Sequence, residues 1–315
     1  MKPRGHFAGV GVGVSEVDVS QLDRSLRQPR TLFSFIMTTA TTVMTLCALL
    51  PLFSVLYLLV RRGGKELGLA TFTDLPPAAM VEGGGFGNAI VGTVLIVGIA
   101  TLISVPIGIL AAIFLAELGS NSRAAGAIRF AAKVLTGLPS ILAGVFAFAA
   151  VVVTTGGFSA PAGGVALALL MLPTIILTAE EAIKSVPSRM REAAIGMGAT
   201  PAQVVTRVLV PTAMPGILTG VMLAIARAAG ETAPLLFTAL FSEFWLSSSS
   251  PQFLPKTVGE LMRPTPSLAV LIYNFSSSPF ENQIELAWAA ALVLVVLVLL
   301  TNVVGQALSR RSGLR

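Results

Sequence analysis

Hydrophobic positions along this chain fall in long runs that no charge interrupts, and the runs set its organisation. Thr31 to Val60 carries no charged residue, and neither does Gly83 to Ala116. Val134 to Ala179 is charge-free for 46 residues, room for two membrane helices of about 20 residues each. Its middle, from Thr155-Gly156-Gly157 through Ala160-Pro161 to Gly163-Gly164, is turn chemistry, which predicts two helices joined by a short loop. Val208 to Ala226 and Leu286 to Ser309 complete the set. The pattern therefore predicts six transmembrane helices. The runs are continuous rather than alternating, which favours helical spans over barrel strands. Pro106, Pro139, Pro173 and Pro215 fall in or near the spans, where neighbouring helices can satisfy the freed carbonyls. The first run is too long for the apolar region of a cleaved signal, which is about 7–15 residues.

Composition supports the bilayer as the solvent. Only 11% of the 315 residues are charged and 54% are apolar, against roughly 25% charged in an average soluble domain. Mean hydropathy is +0.86. The net charge of +6 does not mark a nucleic-acid binder, because the cations lie between apolar runs and not on one polar face. They read as topology signals. If both termini are cytoplasmic, 15 of the 21 basic residues fall inside. These are five in the tail, Arg123, Arg129 and Lys133 in the next loop, Lys184, Arg189, Arg191 and Arg207 in the third, and Arg310, Arg311 and Arg315 at the end. The positive-inside rule favours that orientation, with Arg61-Arg62 as a local violation. Residues 1–30 read as a flexible cytoplasmic tail, 31–60 as the first span, 83–309 as the remaining transmembrane domain and 310–315 as a cytoplasmic C-terminal tail. A single cysteine, Cys47, and a single histidine, His6, leave almost no raw material for disulfide, metal or histidine-based chemistry. No cofactor or metal is expected.

The cytoplasmic stretch 180–207 is the most informative. Ile183, Val186, Met190, Ala193 or Ala194, and Met197 recur every three or four residues, the spacing of one helical face. Pro187 suits a helix start and Gly198 a helix stop. Thr200-Pro201 reads as an N-cap followed by proline at the first helical position. Two short helices with a sharp turn at Gly198-Ala199-Thr200 are expected. Such an element could lie on the membrane surface or dock on a cytosolic partner, and amphipathicity does not separate the two.

Residue identities do. Glu192-Ala193-Ala194, three residues, Gly198, nine residues, then Val208-Leu209-Val210-Pro211 resembles the EAA signature of ABC importer permeases. Met171-Leu172-Pro173-Thr174, Arg191-Glu192, Gly198-Ala199-Thr200, Pro215-Gly216-Ile217 and Arg227-Ala228-Ala229-Gly230-Glu231-Thr232-Ala233-Pro234-Leu235 extend the likeness to the phosphate transport system permeases, and to their PstA-type rather than PstC-type subunit. Gly137-Leu138-Pro139-Ser140, Asn88-Ala89-Ile90 and Gly92-Thr93 are similar to further family positions. The resemblance covers about residues 85–305. Ala143, where the family often has an aromatic residue, and Gly196-Met197, where Ala-Leu is usual, depart from it.

The resemblance implies a type I ABC importer permease fold, all-α, with a coupling loop on the ATP-hydrolysing subunit. Carried over, Arg191, Glu192, Ala193, Ala194, Gly198 and Thr200 are the ATPase-coupling residues. The implied partners are a PstC-type permease, a PstB-type ATPase dimer, a PstS-type phosphate-binding protein, phosphate and the lipid bilayer, with no nucleic acid. Arg227 and Glu231, four apart, should share a helix face at the end of the fifth span. Either the arginine snorkels to the interface and the pair is structural, or it lines the anion path, where its planar fork suits phosphate oxygens. The family favours the path. Glu117 reads as an interface anchor, and Glu180 and Glu181 as loop-facing. Gly83-Gly84-Gly85 is not a phosphate loop, since no Gly-Lys-Ser/Thr follows, so the chain lacks a Walker A motif for hydrolysing ATP. Permeases for sulfate or molybdate are the near alternative. A secondary transporter is a further one, against which stand the coupling signature and the lack of an internal repeat. An integral-membrane enzyme lacks clustered catalytic side chains.

Overall fold

The computed structural model describes residues 29–81, 83–247, 255 and 257–312. The tail expected at 1–30 lies outside this range except for its last two residues, as does the end of the chain after Ser312. Internal contacts divide the chain into two units, one ending at Leu56 and one starting at Tyr57. In the first unit the described residues belong to α1, Pro29–Leu58, a helix apolar on all sides despite Pro51. Several of its hydroxyls bond back onto the helix itself: Thr38, Thr42 and Thr45 each donate to the carbonyl four residues back at 2.8 Å. In lipid, polar groups need such internal partners.

The second unit opens with a π-helical turn, Leu59–Gly63, and a short helix, α2, Leu69–Thr73. The first long helix is α3, Gly87–Ile113, extended by a π turn at Phe114–Leu118. Ser122 caps α4, Arg123–Gly137, by accepting from the Ala125 N–H. The chain then bends by 109° at Leu138-Pro139 into α5, Ser140–Ala147. Proline disfavours a helical residue before it, and Leu138 is extended. The third span was expected from Val134, so the structure moves its start to Ser140. Val134 to Gly137 belong to the amphipathic α4. From α5 the helix runs through a π turn, Phe148–Val152, into α6, Val153–Thr155, and stops at Gly156.

The centre of this unit is α7, Ala160–Lys184, capped by Ser159. Ile96, Leu167, Met171, Ile175, Ile183, Leu209 and Ile217 are fully buried around it. Small residues let the helices touch, as is usual where lipid supplies no hydrophobic drive between them. A Cβ at Gly108 would meet the Ile175 side chain at 2.6 Å, and one at Gly220 would run into the Thr178 hydroxyl. Beyond α7 come α8, Ser188–Gly196, and α9, Pro201–Val204. A π turn, Val205–Leu209, joins α9 to α10, Val210–Ala229. The second loop helix is thus the opening of the fifth-span helix and not a separate rod. Pro211 cannot donate to the carbonyl one turn back, and the π turn sits where that bond is missing.

After α10 the chain stays folded against the bundle through α11, Ala233–Leu236, α12, Val258–Leu261, and α13, Leu268–Ser276. The last helix, α14, runs Glu281–Ser312, past both expected limits of the sixth span. Among the described residues five helices are long and apolar enough to cross a membrane, and the bent α4–α6 pair brings the number to six. The bundle has two distinct ends. One gathers Glu117, Arg129, Glu180 and Arg191. At the other, the Asn88 amide donates to the Ser242 and Phe244 carbonyls, and the Ser159 N–H donates to Thr238 O. Arg62 lies over the ring of Trp288 at 5.5 Å. That cation–π contact stabilises the arginine that breaks the positive-inside pattern.

Candidate functional site

The loop from α7 to α9 is built from two interlocking end signals. α8 stops in a Schellman motif: Ala199 N–H donates to Ala194 O and Gly198 N–H to Ile195 O. Gly198 adopts φ +84°, a left-handed conformation open to glycine at little cost. One residue later Thr200 opens a capping box. Its backbone N–H donates to Gln203 Oε1 at 2.9 Å and its hydroxyl accepts from the Gln203 N–H at 3.4 Å. The turn expected at 198–200 is therefore present.

The expected apolar face is only partly buried. Ile183, Val186 and Ala194 are buried, whereas Met190 is exposed and Met197 is 84% exposed. The helix breaks at Ser185–Pro187, so one periodicity does not run through the segment. Glu192, Ala193, Gly196, Gly198 and Thr200 are exposed with Met197 and Ile195. The apex thus offers small residues, one carboxylate and two unpartnered apolar side chains. Ile195 was not singled out in the sequence, because its spacing belongs to no buried stripe.

Behind the apex lies a charge cluster that sequence reasoning missed. Arg129 of α4 donates from Nε to Glu180 Oε1 at 2.7 Å, and its other nitrogens donate to the Leu115 and Ser120 carbonyls. Lys184 adds a 2.6 Å bond to the same carboxylate oxygen. Glu180 is buried, which corrects its reading as loop-facing, while Glu181 is exposed as expected. Two cations satisfy the glutamate because an unpaired carboxylate at this burial would be costly. Arg191 turns away from the apex and pairs with Glu117 on the π turn that ends α3. Glu117, read as an interface anchor, is thus a tether for the loop.

The second candidate group is at the far end of α10. Arg227 Nε lies 3.5 Å from Glu231 Oε1, with the side chains 48% and 18% exposed. The two were expected on one helix face. Instead α10 ends at Ala229, and Glu231 reaches back across the helix end, its N–H bonded to Ala228 O. The separation is longer than a well-formed charge-assisted hydrogen bond. Among the described residues the Arg227 guanidinium has no other charged partner. The segment that follows is fixed: Thr232 donates to Ala269 O at 3.5 Å, and a Cβ on Gly144 would fall 2.6 Å from Pro234 Cα. Near Arg227, an open groove of about 460 Å³ is lined by Thr93, Val97 and Thr101 of α3, Ile225 and Ala229 of α10 and Leu297 of α14, among others. No charged side chain lines it, so it gives an anion no countercharge. Among the described residues no cluster of His, Cys, Asp or Glu could hold a metal.

The comparisons with known proteins agree on what this geometry belongs to. The family of binding-protein-dependent transport system inner membrane components matches residues 104–313. The phosphate transport system permease protein PstA of Yersinia pestis is 41% identical over 252 residues, covering 80% of this chain and 81% of that protein. The chain belongs to this family of phosphate transport system permeases. The PstA protein of Haemophilus influenzae is 42% identical over 249 residues, with 79% and 84% covered. A probable PstA of Methanocaldococcus jannaschii is 36% identical over 261 residues, with 81% and 86% covered. Two solved transporters share the fold. A bacterial alginate ABC transporter, solved with its alginate-bound periplasmic protein, aligns with a TM-score of 0.62 at 16% identity, over 92% of this chain and 99% of that one. The inward-facing MetNI methionine ABC transporter aligns at 0.55 and 20%, over 72% and 93%. The expected all-α permease fold is therefore present, and the apolar helices are the spans of a multi-pass inner-membrane protein.

Proposed function

We propose that this chain is the membrane-spanning permease subunit of an ATP-driven inorganic phosphate importer. The observation that carries the reading is the likeness to phosphate permeases over four fifths of the chain. It forms the path with a PstC-type permease and receives phosphate from a PstS-type binding protein. A PstB-type ATPase dimer docks on its loop. The chain is not itself an enzyme; ATP hydrolysis belongs to the ATPase. Both termini lie in the cytoplasm, on the side of Arg129, Lys184 and Arg191. The exposed apex at Glu192, Ala193, Gly198 and Thr200 meets the ATPase, with the buried Ala194 packing the apex onto the bundle and Arg191 behind it, and closure of the ATPase dimer moves that apex.

Arg227 meets phosphate in the pathway. Its long pairing with Glu231 leaves most of the guanidinium fork unengaged, and arginine suits a tetrahedral oxyanion. Glu231 keeps the cation from holding phosphate too long, by competing for the same nitrogens. The test is reconstitution with the three partner subunits in liposomes. ATP-dependent phosphate uptake is expected, and none without the ATPase. Uptake at full rate without the ATPase overturns the reading. Uptake of sulfate or molybdate in place of phosphate turns it to the neighbouring oxyanion class.

A further inference from the structure

The Glu117–Arg191 pair has no role in the docking of the loop or in the anion path, and its placement gives it one. α8 is held to the bundle by little else: Ala194 is its one buried residue. The Arg191 side chain is 40% exposed, but its Nε is buried without a hydrogen-bond partner, so the Glu117 carboxylate is what offsets the desolvation of that side of the guanidinium. Glu117 is 11% exposed and ends the rod formed by α3 and its π turn. At the other end of this rod the Asn88 amide holds the Ser242 and Phe244 carbonyls. Five residues further in, the Thr93 hydroxyl accepts from Leu268 N–H at 2.9 Å. These are the segments that follow Arg227 and Glu231.

We propose that Glu117 and Arg191 are a positioning pair through which displacement of the loop is handed to α3, and by α3 to the segment beyond Arg227. The loop is also continuous with α7 and α10, but that connection alone leaves α3 to follow passively. The ion pair makes α3 move with α8. Arg191 serves the ATPase through Glu117 and not by touching it. This rests on the importer reading, and the two fail differently. If wild-type complex shows no ATP-driven phosphate uptake, the importer reading fails. The pair is judged only on how variants alter a working wild type.

The experiment uses the full complex in liposomes, with Glu117→Gln, Arg191→Gln, both together, and the swapped pair Glu117→Arg with Arg191→Glu. Three quantities are read: ATPase subunit retained, ATP hydrolysed and phosphate taken up per ATP. Each single variant is expected to keep the ATPase and its hydrolysis while phosphate per ATP falls about tenfold, the size of one charge-assisted hydrogen bond. The double Gln variant should fall no further than either single, since both remove one interaction, and the swapped pair should recover uptake in part. An unchanged ratio in Glu117→Gln overturns the proposal, as do single losses that multiply in the double variant. Loss of the ATPase from Arg191→Gln alone overturns it in favour of direct docking. If Glu117→Gln does not accumulate, Glu117→Asp keeps the charge with a shorter reach. An intermediate ratio then supports the pair and a wild-type ratio overturns it.

Discussion

Arg191 reaches a glutamate 74 residues away, whereas Arg227 meets one four residues on. The long-range pair ties two elements together, and its glutamate is the more buried of the two acids. The two arginines are similarly exposed, at 40% and 48%, but the local pair ties the end of one helix only to its own next turn, at 3.5 Å. A pair formed across the fold resists separation, because breaking it strands a partly buried charge. A local pair held at 3.5 Å can exchange its partner at lower cost. The first arrangement suits transmission of movement, and the second suits a passing anion.

The contrast can be broken most directly at Arg227. Arg227→Gln should leave assembly intact while phosphate uptake falls by about ten- to a hundredfold, the range for hydrogen bonds to charged groups. Complex that no longer assembles would make the pair structural. Arg227→Lys keeps the charge but not the fork and should fall between the two. Next in size is Arg129→Gln, which leaves the buried Glu180 with Lys184 alone. Removing one partner of a buried pair costs about 3–5 kcal/mol. With Lys184 remaining and Arg129 partly exposed, about 2 kcal/mol is expected, read as thermal unfolding of the purified complex. Thr200→Ala removes the capping box and should cost about 1 kcal/mol in the same measurement. Glu231→Gln should change stability by less than about 0.5 kcal/mol, as for a long local pair whose arginine is half exposed, while slowing release of phosphate in single-turnover uptake. A stability loss as large as that of Arg129→Gln would erase the distinction between the two pairs.

The spans and the turn of the loop were legible because each is written locally. A charge-free run needs no partner to be read, and Gly198 with Thr200 and Gln203 completes its signal within six residues. The bend at Leu138-Pro139 was missed because apolar residues continue through it, and hydropathy does not register direction. The Arg129–Glu180 bond, across 51 residues, and the Glu117 tether were invisible for another reason. Nothing in the spacing of two charges tells which helix ends the fold brings together. Glu231 was placed on α10 because spacing of four assumes the helix continues, and Gly230 ends it.

The corner of the loop between α8 and α9 carries one more consequence. Only Ala199 separates the left-handed Gly198 from the capping residue Thr200. Such a corner has no spare chain to take up an insertion. One added residue would swing every later position on the helix by about 100°, turning Val204 and Leu209 out of the core they fill. The number of residues between Glu192 and Pro211 is therefore as much a part of the site as their identities. A one-residue insertion at Ala199 should be as damaging as losing the capping residue Thr200 itself.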